Sequence, residues 1–338
     1  MSVDLPYGKI HLQSQITDFW TPSLQQFDKK IRSYVVYHTL FFALGACELF
    51  AFFLFFSYLS QSTVLAFTLA IFFLTLFSYL AFRLYWQARK PEELVNFCEE
   101  YLDRCKESLH YQEGIPEHHI ALANAAQKFA AALHEREYGY FLPPRLLPSL
   151  APYLETFSCF CHWRDLHRMQ ELLLQTSIEE HLQVVKCEPT NLEVHAALAN
   201  SYVMLSGLYA DPRNCSDFDE ERWIPAERSS QEMQEKFRAM AERAMEEFTI
   251  LNDYAPEDPW VHIQLAYSYH DLQMPEEEIR EYEIVLSLRP NDTETLFKLG
   301  MLYFQQGLNA KALRIYETLR HTDTKKAEHL IKFYGTFL

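Results

Sequence analysis

The sequence contains little glycine and lacks the short motifs of the common catalytic and nucleotide-binding folds. Only 8 of its 338 residues are glycine, which argues against glycine-rich phosphate loops and turn-rich β-folds. No P-loop, HExxH, GxSxG or GxGxxG pattern occurs. We therefore expect no catalytic residues and no cofactor, and we predict that the protein is not an enzyme.

Basic residues and paired cysteines are also scarce. The chain has 30 Lys and Arg against 46 Asp and Glu, a net charge of -16, so we expect no nucleic-acid partner, because that role needs a basic face. Its 7 cysteines are odd in number and follow no framework spacing, which indicates reduced thiols. Cys159, Cys161 and His162 are neighbours, but a structural zinc site needs four ligands in paired spacing, so we expect no metal site.

Two long apolar segments are the dominant feature that is present. They cover Tyr34–Leu59 and Thr63–Phe82 and are joined by the polar residues 60–62. A helix needs about 20 apolar residues to cross a bilayer, and the apolar residues run all round both segments rather than along one stripe. The pattern predicts a two-span transmembrane hairpin over 34–86; a buried helix pair in a soluble protein is the alternative.

Basic residues flank both segments and set the expected orientation. They are Lys29, Lys30 and Arg32 before the first segment and Arg83, Arg89 and Lys90 after the second. The positive-inside rule then places both termini in the cytoplasm, and we expect a bacterial inner-membrane protein. Since apolar residues begin only near Tyr34, we expect no cleavable signal peptide.

Two amphipathic helices are expected next to the hairpin. Leu24, Phe27, Ile31 and Tyr34 follow one another at spacings of three and four, which predicts a lead-in helix lying at the membrane interface. On the other side, Pro91 is expected at the first position of a new helix that runs to residue 110.

Glu48 is a carboxylate in the middle of the first apolar segment. Such a charge costs several kcal/mol at the bilayer centre, so it is a candidate functional residue. Three interpretations stay open: a proton site, which would require an oligomeric transport function; a polar contact between helices; or a local hydrogen bond.

A long-range periodicity appears in the C-terminal part of the chain. Pro256 and Pro290 recur at the spacing of a helical repeat, roughly 34 residues. Other pairs recur at the same spacing: Leu265 and Leu299, Ala266 and Gly300, Tyr269 and Tyr303, Tyr282 and Tyr316. This pattern resembles the tetratricopeptide repeat (TPR) family, whose repeat is a pair of antiparallel helices. The best copy is 293–326, and Glu278 departs from the pattern where the family has alanine.

A further copy is split. Its first helix fits Leu192–Leu208 and its second fits Glu232–Asn252, with an irregular acidic insert between them. The predicted fold class is therefore all-α, a transmembrane helical hairpin followed by a TPR-like α-solenoid. The predicted domains are 1–33, an N-terminal segment with the lead-in helix; 34–86, the hairpin; 91–188, a helical region with degenerate repeats; 189–326, the repeats, with the insert at about 209–230; and 327–338, a capping helix.

The resemblance also implies a peptide-binding groove, because the first helices of TPR repeats line a concave face. The corresponding residues are Asn200, Met204, Trp260, Ile263, Tyr267, His270, Phe297, Met301 and Phe304. Chaperone-binding members carry Lys and Arg there, and this set has none. An apolar, aromatic groove with acidic margins suits an amphipathic helix or an extended apolar peptide with basic flanks. Alternatively, these aromatic side chains pack beneath the insert or the terminal helix.

These features together predict a membrane-anchored adaptor. Its expected partners are a protein or peptide in the groove and the lipid bilayer around the hairpin. A minority alternative is that the short-looped hairpin resembles the inclusion-membrane proteins that intracellular bacteria secrete, in which case the repeats would face a host cytosol.

Overall fold

The structure is a computed structural model that describes residues 20–56, 64–141, 148–214 and 222–335. These residues form α-helices and short connections, and they include no β-strand, so the predicted all-α class is confirmed. The polar break at 60–62 and residues 1–19 of the N-terminal segment lie outside the described residues. The chain divides into two compact units, residues 1–180 with 215–227 and residues 181–214 with 228–338.

The helices follow one another along the chain with 3₁₀ turns in some connections. Their bounds are α1 Trp20–Leu54, α2 Val64–Leu109, α3 Pro116–Ala132, α4 Ala151–Cys187, α5 Leu192–Tyr209, α6 Gln231–Tyr254, α7 Pro259–Asp271, α8 Pro275–Leu288, α9 Thr293–Gln305, α10 Asn309–Thr322 and α11 Thr324–Ile331.

The expectation that Pro91 begins a new helix is wrong, because α2 runs through it without interruption for 46 residues. A proline inside a helix removes one backbone hydrogen bond and costs about 3 kcal/mol. Packing on both sides offsets that cost. Before the proline, Trp86 packs edge-on against Tyr34 with ring centroids 5.5 Å apart; after it, Leu94 and Phe97 are buried.

The expected interfacial position of the lead-in helix is also wrong. Leu24, Phe27 and Ile31 are buried in protein, on a continuous helix that goes on into the first apolar segment. Phe27 packs against Phe97 of α2 at 5.7 Å between ring centroids. The polar side of α1 also contacts protein, because Asp28 accepts hydrogen bonds from Arg136 and Tyr140. An amphipathic stripe has the same spacing whether it faces lipid or protein.

The core of the first unit is completed by the alanine-rich helix α3. Small side chains allow its backbone to approach α2 closely, and the Tyr101 hydroxyl donates a hydrogen bond to the Ala125 carbonyl at 3.0 Å. Phe129 packs against Tyr101 at 4.8 Å between ring centroids. Helix α4 joins this core through Gln170, which donates to the Ala130 carbonyl.

The second unit consists of successive helix pairs. Helix α5 packs against α6, α7 against α8, and α9 against α10, and α11 lies against both α9 and α10. The insert between α5 and α6 does not prevent their pairing. The repeat positions are buried as the resemblance implies: Leu198, Leu265 and Leu299 are core residues, followed by Ala199, Ala266 and Gly300.

Gly300 is closely surrounded by side chains of α10 and α11. A Cβ atom at this position would lie 2.7 Å from Leu330 Cδ2, so a larger residue would push on α11. The final helix therefore covers the end of the repeat array, as solenoids require. It ends at Ile331, earlier than the predicted 338, and the last three residues lie outside the described part.

A buried His–Glu pair recurs at the same position of two repeats. His195 Nδ1 lies 2.6 Å from Glu247 Oε2, and its Nε2 lies 3.0 Å from the Pro189 carbonyl. His262 contacts Glu281 and the Pro256 carbonyl in the same way, at 2.6 and 2.9 Å. Each pair ties the two helices of a repeat to the preceding connection. Burial lowers the pKa of His195, but its two hydrogen bonds outweigh burial and the pKa is raised.

The same pair occurs once more, within the region 91–188 for which degenerate repeats are predicted. His119 on α3 lies 2.6 Å from Glu180 on α4. Each of the three glutamates precedes a proline by nine residues, at 180 and 189, 247 and 256, and 281 and 290. Leu122 and Ala123 are fully buried at the matching positions of α3. Helix α3 and the later part of α4 therefore have the arrangement of a repeat with a long insertion.

In the last repeat, the equivalent positions carry an apolar pair. Leu296 stands one repeat length after His262, and Ile315 stands one repeat length after Glu281. Both belong to an apolar cluster to which all the helices from α7 to α11 contribute. The chain thus contains both solutions, ionic and apolar, for one structural position.

The fold predicts that the apolar pair can replace the ionic one. His262→Ala should lower the apparent stability by about 2 kcal/mol, because Glu281 and a carbonyl lose their partner. The double variant His262→Leu with Glu281→Ile should recover most of this loss. Thermal unfolding of the full chain, followed by circular dichroism, measures both. A double variant no more stable than His262→Ala would contradict the prediction.

Candidate functional site

The first helices of three repeats begin with the same type of N-cap residue. Asn191, Asp258 and Asp292 are the N-cap residues of α5, α7 and α9, and each side chain accepts a hydrogen bond from the backbone N–H two residues on, at 2.9 to 3.1 Å. Such caps stabilise a helix by about 1 kcal/mol. They fix the start of each helix and therefore the register of the side chains that follow.

Most of the predicted groove residues are accessible. Trp260 and Tyr267 on α7 are 44% and 40% exposed. Asn200 and His270 are also exposed, whereas the remaining accessible members are half-buried: Met204, Ile263, Phe297 and Met301. Phe297 and Met301 pack on their inner side against the apolar cluster of the last repeat.

Phe304 does not line an open groove and is a correction to the predicted set. It is 2% exposed and packs edge-on against Tyr334, with ring centroids 5.8 Å apart. The segment after α11 covers it. For this residue the alternative prediction holds, in which the C-terminal region packs over an aromatic side chain of α9.

A cation that sequence reasoning missed lies beside the exposed aromatic residues. Lys298 on α9 donates to the Tyr267 hydroxyl at 2.7 Å, and its ammonium group lies 4.4 Å from the centre of the Tyr267 ring. It is displaced by one residue from the positions that the resemblance assigns to the groove, so a search confined to those positions overlooks it. The exposed aromatic surface of α7 therefore has a positive charge beside it.

Glu278, which departs from the repeat pattern, contacts a predicted groove residue, His270. Glu278 is buried at the position where the family has alanine, and its Oε2 lies 3.2 Å from His270 Nδ1. This hydrogen bond raises the pKa of His270. The predicted groove residue His270 is thus held at the edge of α7 by a carboxylate from α8.

Glu48 contacts the opposite helix of the hairpin. The Thr75 hydroxyl donates to Glu48 Oε1 at 2.7 Å, while Glu48 Oε2 is buried without a hydrogen-bond partner among the described residues. Gly45 and Thr75 line the adjacent small apolar cleft. Of the three interpretations, this geometry is that of a polar contact between helices.

Large apolar side chains cover the outside of the hairpin. Helices α1 and α2 are both long and apolar enough to cross a membrane. Their exposed residues include Val36, Leu40, Phe42, Leu44, Leu49, Phe50, Phe53, Phe67, Leu69, Phe73, Leu74, Phe77, Leu80, Phe82 and Leu84. On α1 the exposed large apolar residues follow the buried Tyr34 and Tyr37, apart from Val36 between them, and on α2 they end just before the half-buried Trp86.

The cysteine–histidine cluster lies on α4. His162 is fully buried and stacks on Phe141 at 5.9 Å between ring centroids, and burial lowers its pKa to about 3. Within the described parts of the chain, no three His, Cys, Asp or Glu residues come together as metal ligands.

Comparison with known structures finds TPR proteins. The helix pairs are TPR-like. A TPR protein of Thermus thermophilus, TTC0263, is 16% identical, with 75% of this chain and 93% of that chain covered at a TM-score of 0.35. MamA of Desulfovibrio magneticus is 11% identical, with 70% and 96% covered at a TM-score of 0.33. No family model and no curated protein sequence matches the chain. The TPR-like description rests on the repeat positions given above.

The contact between Glu48 and Thr75 predicts unequal effects of two conservative substitutions. Thr75→Val should lower the apparent stability of the detergent-solubilised chain by about 0.6 kcal/mol, the typical value for one polar contact between membrane helices. Glu48→Gln keeps an acceptor oxygen and should change it less. Thermal unfolding measures both, and the reverse order would contradict a role as an interhelical contact.

Proposed function

We propose that this protein is a membrane-anchored adaptor, in which the helical hairpin holds the chain in a lipid bilayer and the repeats bind a protein or peptide. The observation that carries the proposal is the exposure of large apolar side chains all round the pair of hairpin helices, except where the two helices face each other. Such a surface is far larger than the few hundred Å² that soluble monomers usually leave open.

The dimensions of the hairpin support a bilayer as the cover for this surface. The exposed run of α2 over residues 65–85 spans about 31 Å at 1.5 Å per residue, close to the roughly 30 Å of a hydrocarbon core. On both helices the exposed apolar run ends at the level where Tyr34 of α1 packs against Trp86 of α2. Tyrosine, tryptophan, lysine and arginine residues lie at and beyond this level. That sequence of residue types is typical of a membrane–water interface.

The flanking charges support an orientation with both termini in the cytoplasm. Lys29, Lys30 and Arg32 precede the exposed run of α1, and Arg83, Arg89 and Lys90 follow that of α2. The positive-inside rule retains such ends on the cytoplasmic side. We further propose a bacterial inner membrane as the location.

The exposed aromatic residues of α7 support a protein or peptide partner. Trp260 and Tyr267 are the residue types most enriched at binding hot spots, and Lys298 adds a cation beside them. An apolar segment with an acidic residue would complement this surface, since its carboxylate would meet Lys298. The anchor would then hold the partner near the membrane and raise its local concentration.

The anchor is tested by placing charge within the hairpin. Phe73→Arg with Leu74→Arg should release the chain from membranes washed with sodium carbonate, because each arginine at the centre of a span costs about 3 kcal/mol. Leu288→Arg, at an exposed apolar residue of α8, is the matched control and should stay in the membrane fraction. A wild-type chain that is extracted by carbonate, or is monodisperse without detergent, would refute the anchor.

The groove is tested by removing its two exposed aromatic side chains. Trp260→Ser with Tyr267→Ser should reduce partner recovery at least about tenfold in affinity capture from solubilised membranes, because hot-spot aromatics contribute about 2 kcal/mol each. Tyr254→Ser is the control, since Tyr254 is exposed at the end of α6 and lies outside the predicted groove. Quantitative mass spectrometry compares the captures; equal recovery by all three chains would count against the groove.

A further inference from the structure

A cleft of about 770 Å³ opens at the base of the apolar hairpin, within the first unit. Helices α1 and α2 form one wall, and the first half of α4 forms another. Residues 223 and 225–227 close it on the remaining side. Because the hairpin's exposed apolar surface begins beside it, the cleft would lie at the level of the lipid headgroups if the hairpin spans a bilayer.

The cleft concentrates positive charge in a chain whose net charge is -16. Four cationic side chains line it, against the two carboxylates of Asp165 and Glu227. The cations are Arg83, Lys90, Arg164 and Arg168. Both carboxylates are already engaged: Lys90 contacts Asp165 at 2.5 Å, and Arg164 pairs with Glu227. The cleft therefore keeps an excess of positive charge.

Arg83 is the cation that these contacts leave available. Arg168 pairs with Glu171 at 2.6 Å, whereas no ion pair to Arg83 occurs within the described residues. On α2 it lies on one face with Tyr79, four residues before it, and Trp86, three residues after it, and all three line the cleft. Its guanidinium group can present a planar pair of donors, the geometry that suits a phosphate.

Aromatic side chains connect the cleft to the apolar surface of the hairpin. Phe42, which is exposed on α1, packs edge-on against Phe157 of α4 at 5.8 Å between ring centroids. Phe160 and Trp223 are exposed beside them and pack together at 6.3 Å. Tryptophan, tyrosine and phenylalanine in this position are typical of the interfacial belt of membrane proteins.

We propose that this cleft binds the phosphate-bearing headgroup of an anionic phospholipid, with Arg83 contacting the phosphate and the acyl chains following Phe42 and Tyr79 along the hairpin. The combination of an available guanidinium, a surplus of positive charge and a continuous apolar wall fits an amphiphilic anion. A soluble phosphate would use the charge but not the wall. The proposal rests on the membrane anchor proposed above.

The test compares lipids on the full chain in a neutral detergent. The wild-type chain should retain phosphatidylglycerol in preference to phosphatidylcholine, as measured by native mass spectrometry and by titration with a fluorescent lipid. Arg83→Gln should weaken phosphatidylglycerol binding about tenfold, as expected for the loss of a charge-assisted contact near a lipid phosphate. Arg83→Lys, which keeps the charge, should lose less.

Arg89→Gln is the matched control. Arg89 is six residues further along the same helix and pairs with the Tyr85 hydroxyl at 2.8 Å, but it does not line the cleft. The Arg89→Gln variant should keep a phosphatidylglycerol affinity within about twofold of wild type, since Arg89 contributes only to the general surface charge. Circular dichroism of each variant confirms that it is folded, which is expected for Arg83→Gln because Arg83 is exposed.

Three outcomes would overturn the headgroup site. Equal retention of both lipids by the wild-type chain shows no preference for the anion. Equal losses in Arg83→Gln and Arg89→Gln show only general electrostatic attraction. Displacement of the lipid by inorganic phosphate at a similar concentration shows a soluble-anion site. A wild-type chain that is monodisperse without detergent would refute the anchor itself, whereas a detergent-dependent chain that gives any of the three outcomes refutes the cleft alone.

Discussion

The continuity of two helices is the constraint on which the first unit depends. Each of α1 and α2 carries an exposed apolar half and a half that is buried in protein, with no hinge between them. Phe27 and Phe97, which pack together in the core, stand on the same helices as the hairpin's exposed phenylalanines. The apolar hairpin is therefore continuous with the buried core of the first unit. The same two helices form one wall of the cleft at the base of the hairpin.

The repeats depend on a different interaction, the contact between the two helices of each pair. Three copies place a His–Glu pair there, and the last copy places Leu296 and Ile315. A buried ionic pair stabilises little more than an apolar pair of similar volume, but it is costly to break on one side only. Both types of pair therefore occur in one chain. A search that expects one residue type at each repeat position finds only one of the two types.

Sequence reasoning was most successful where one property repeats along the chain. The apolar runs predicted the hairpin helices, and the regular repeat spacing predicted the helix pairs, because both depend on periodicity. It failed where tertiary contacts decide. The stripe through Phe27 fits lipid and protein equally well, Pro91 is held inside a helix by packing on both sides, and Phe304 is covered by Tyr334, which lies beyond the last helix. The recurrent glutamate nine residues before a proline was present in the sequence, but its histidine partner lies up to 61 residues earlier.

Exposed aromatic residues occur in both units, and their surroundings decide what they indicate. On the hairpin, phenylalanine and leucine are exposed all round the pair of helices, except where the two helices face each other. A protein partner would have to enclose the whole pair, whereas a bilayer surrounds such a pair without specific contacts. On α7, Trp260 and Tyr267 are exposed among polar residues, and Tyr267 accepts a hydrogen bond from Lys298. A lipid would leave that polar rim unsatisfied, while a folded or extended peptide can supply both an apolar contact and a carboxylate. The two exposed surfaces therefore support the two different partners proposed above, a membrane for the hairpin and a polypeptide for the repeats.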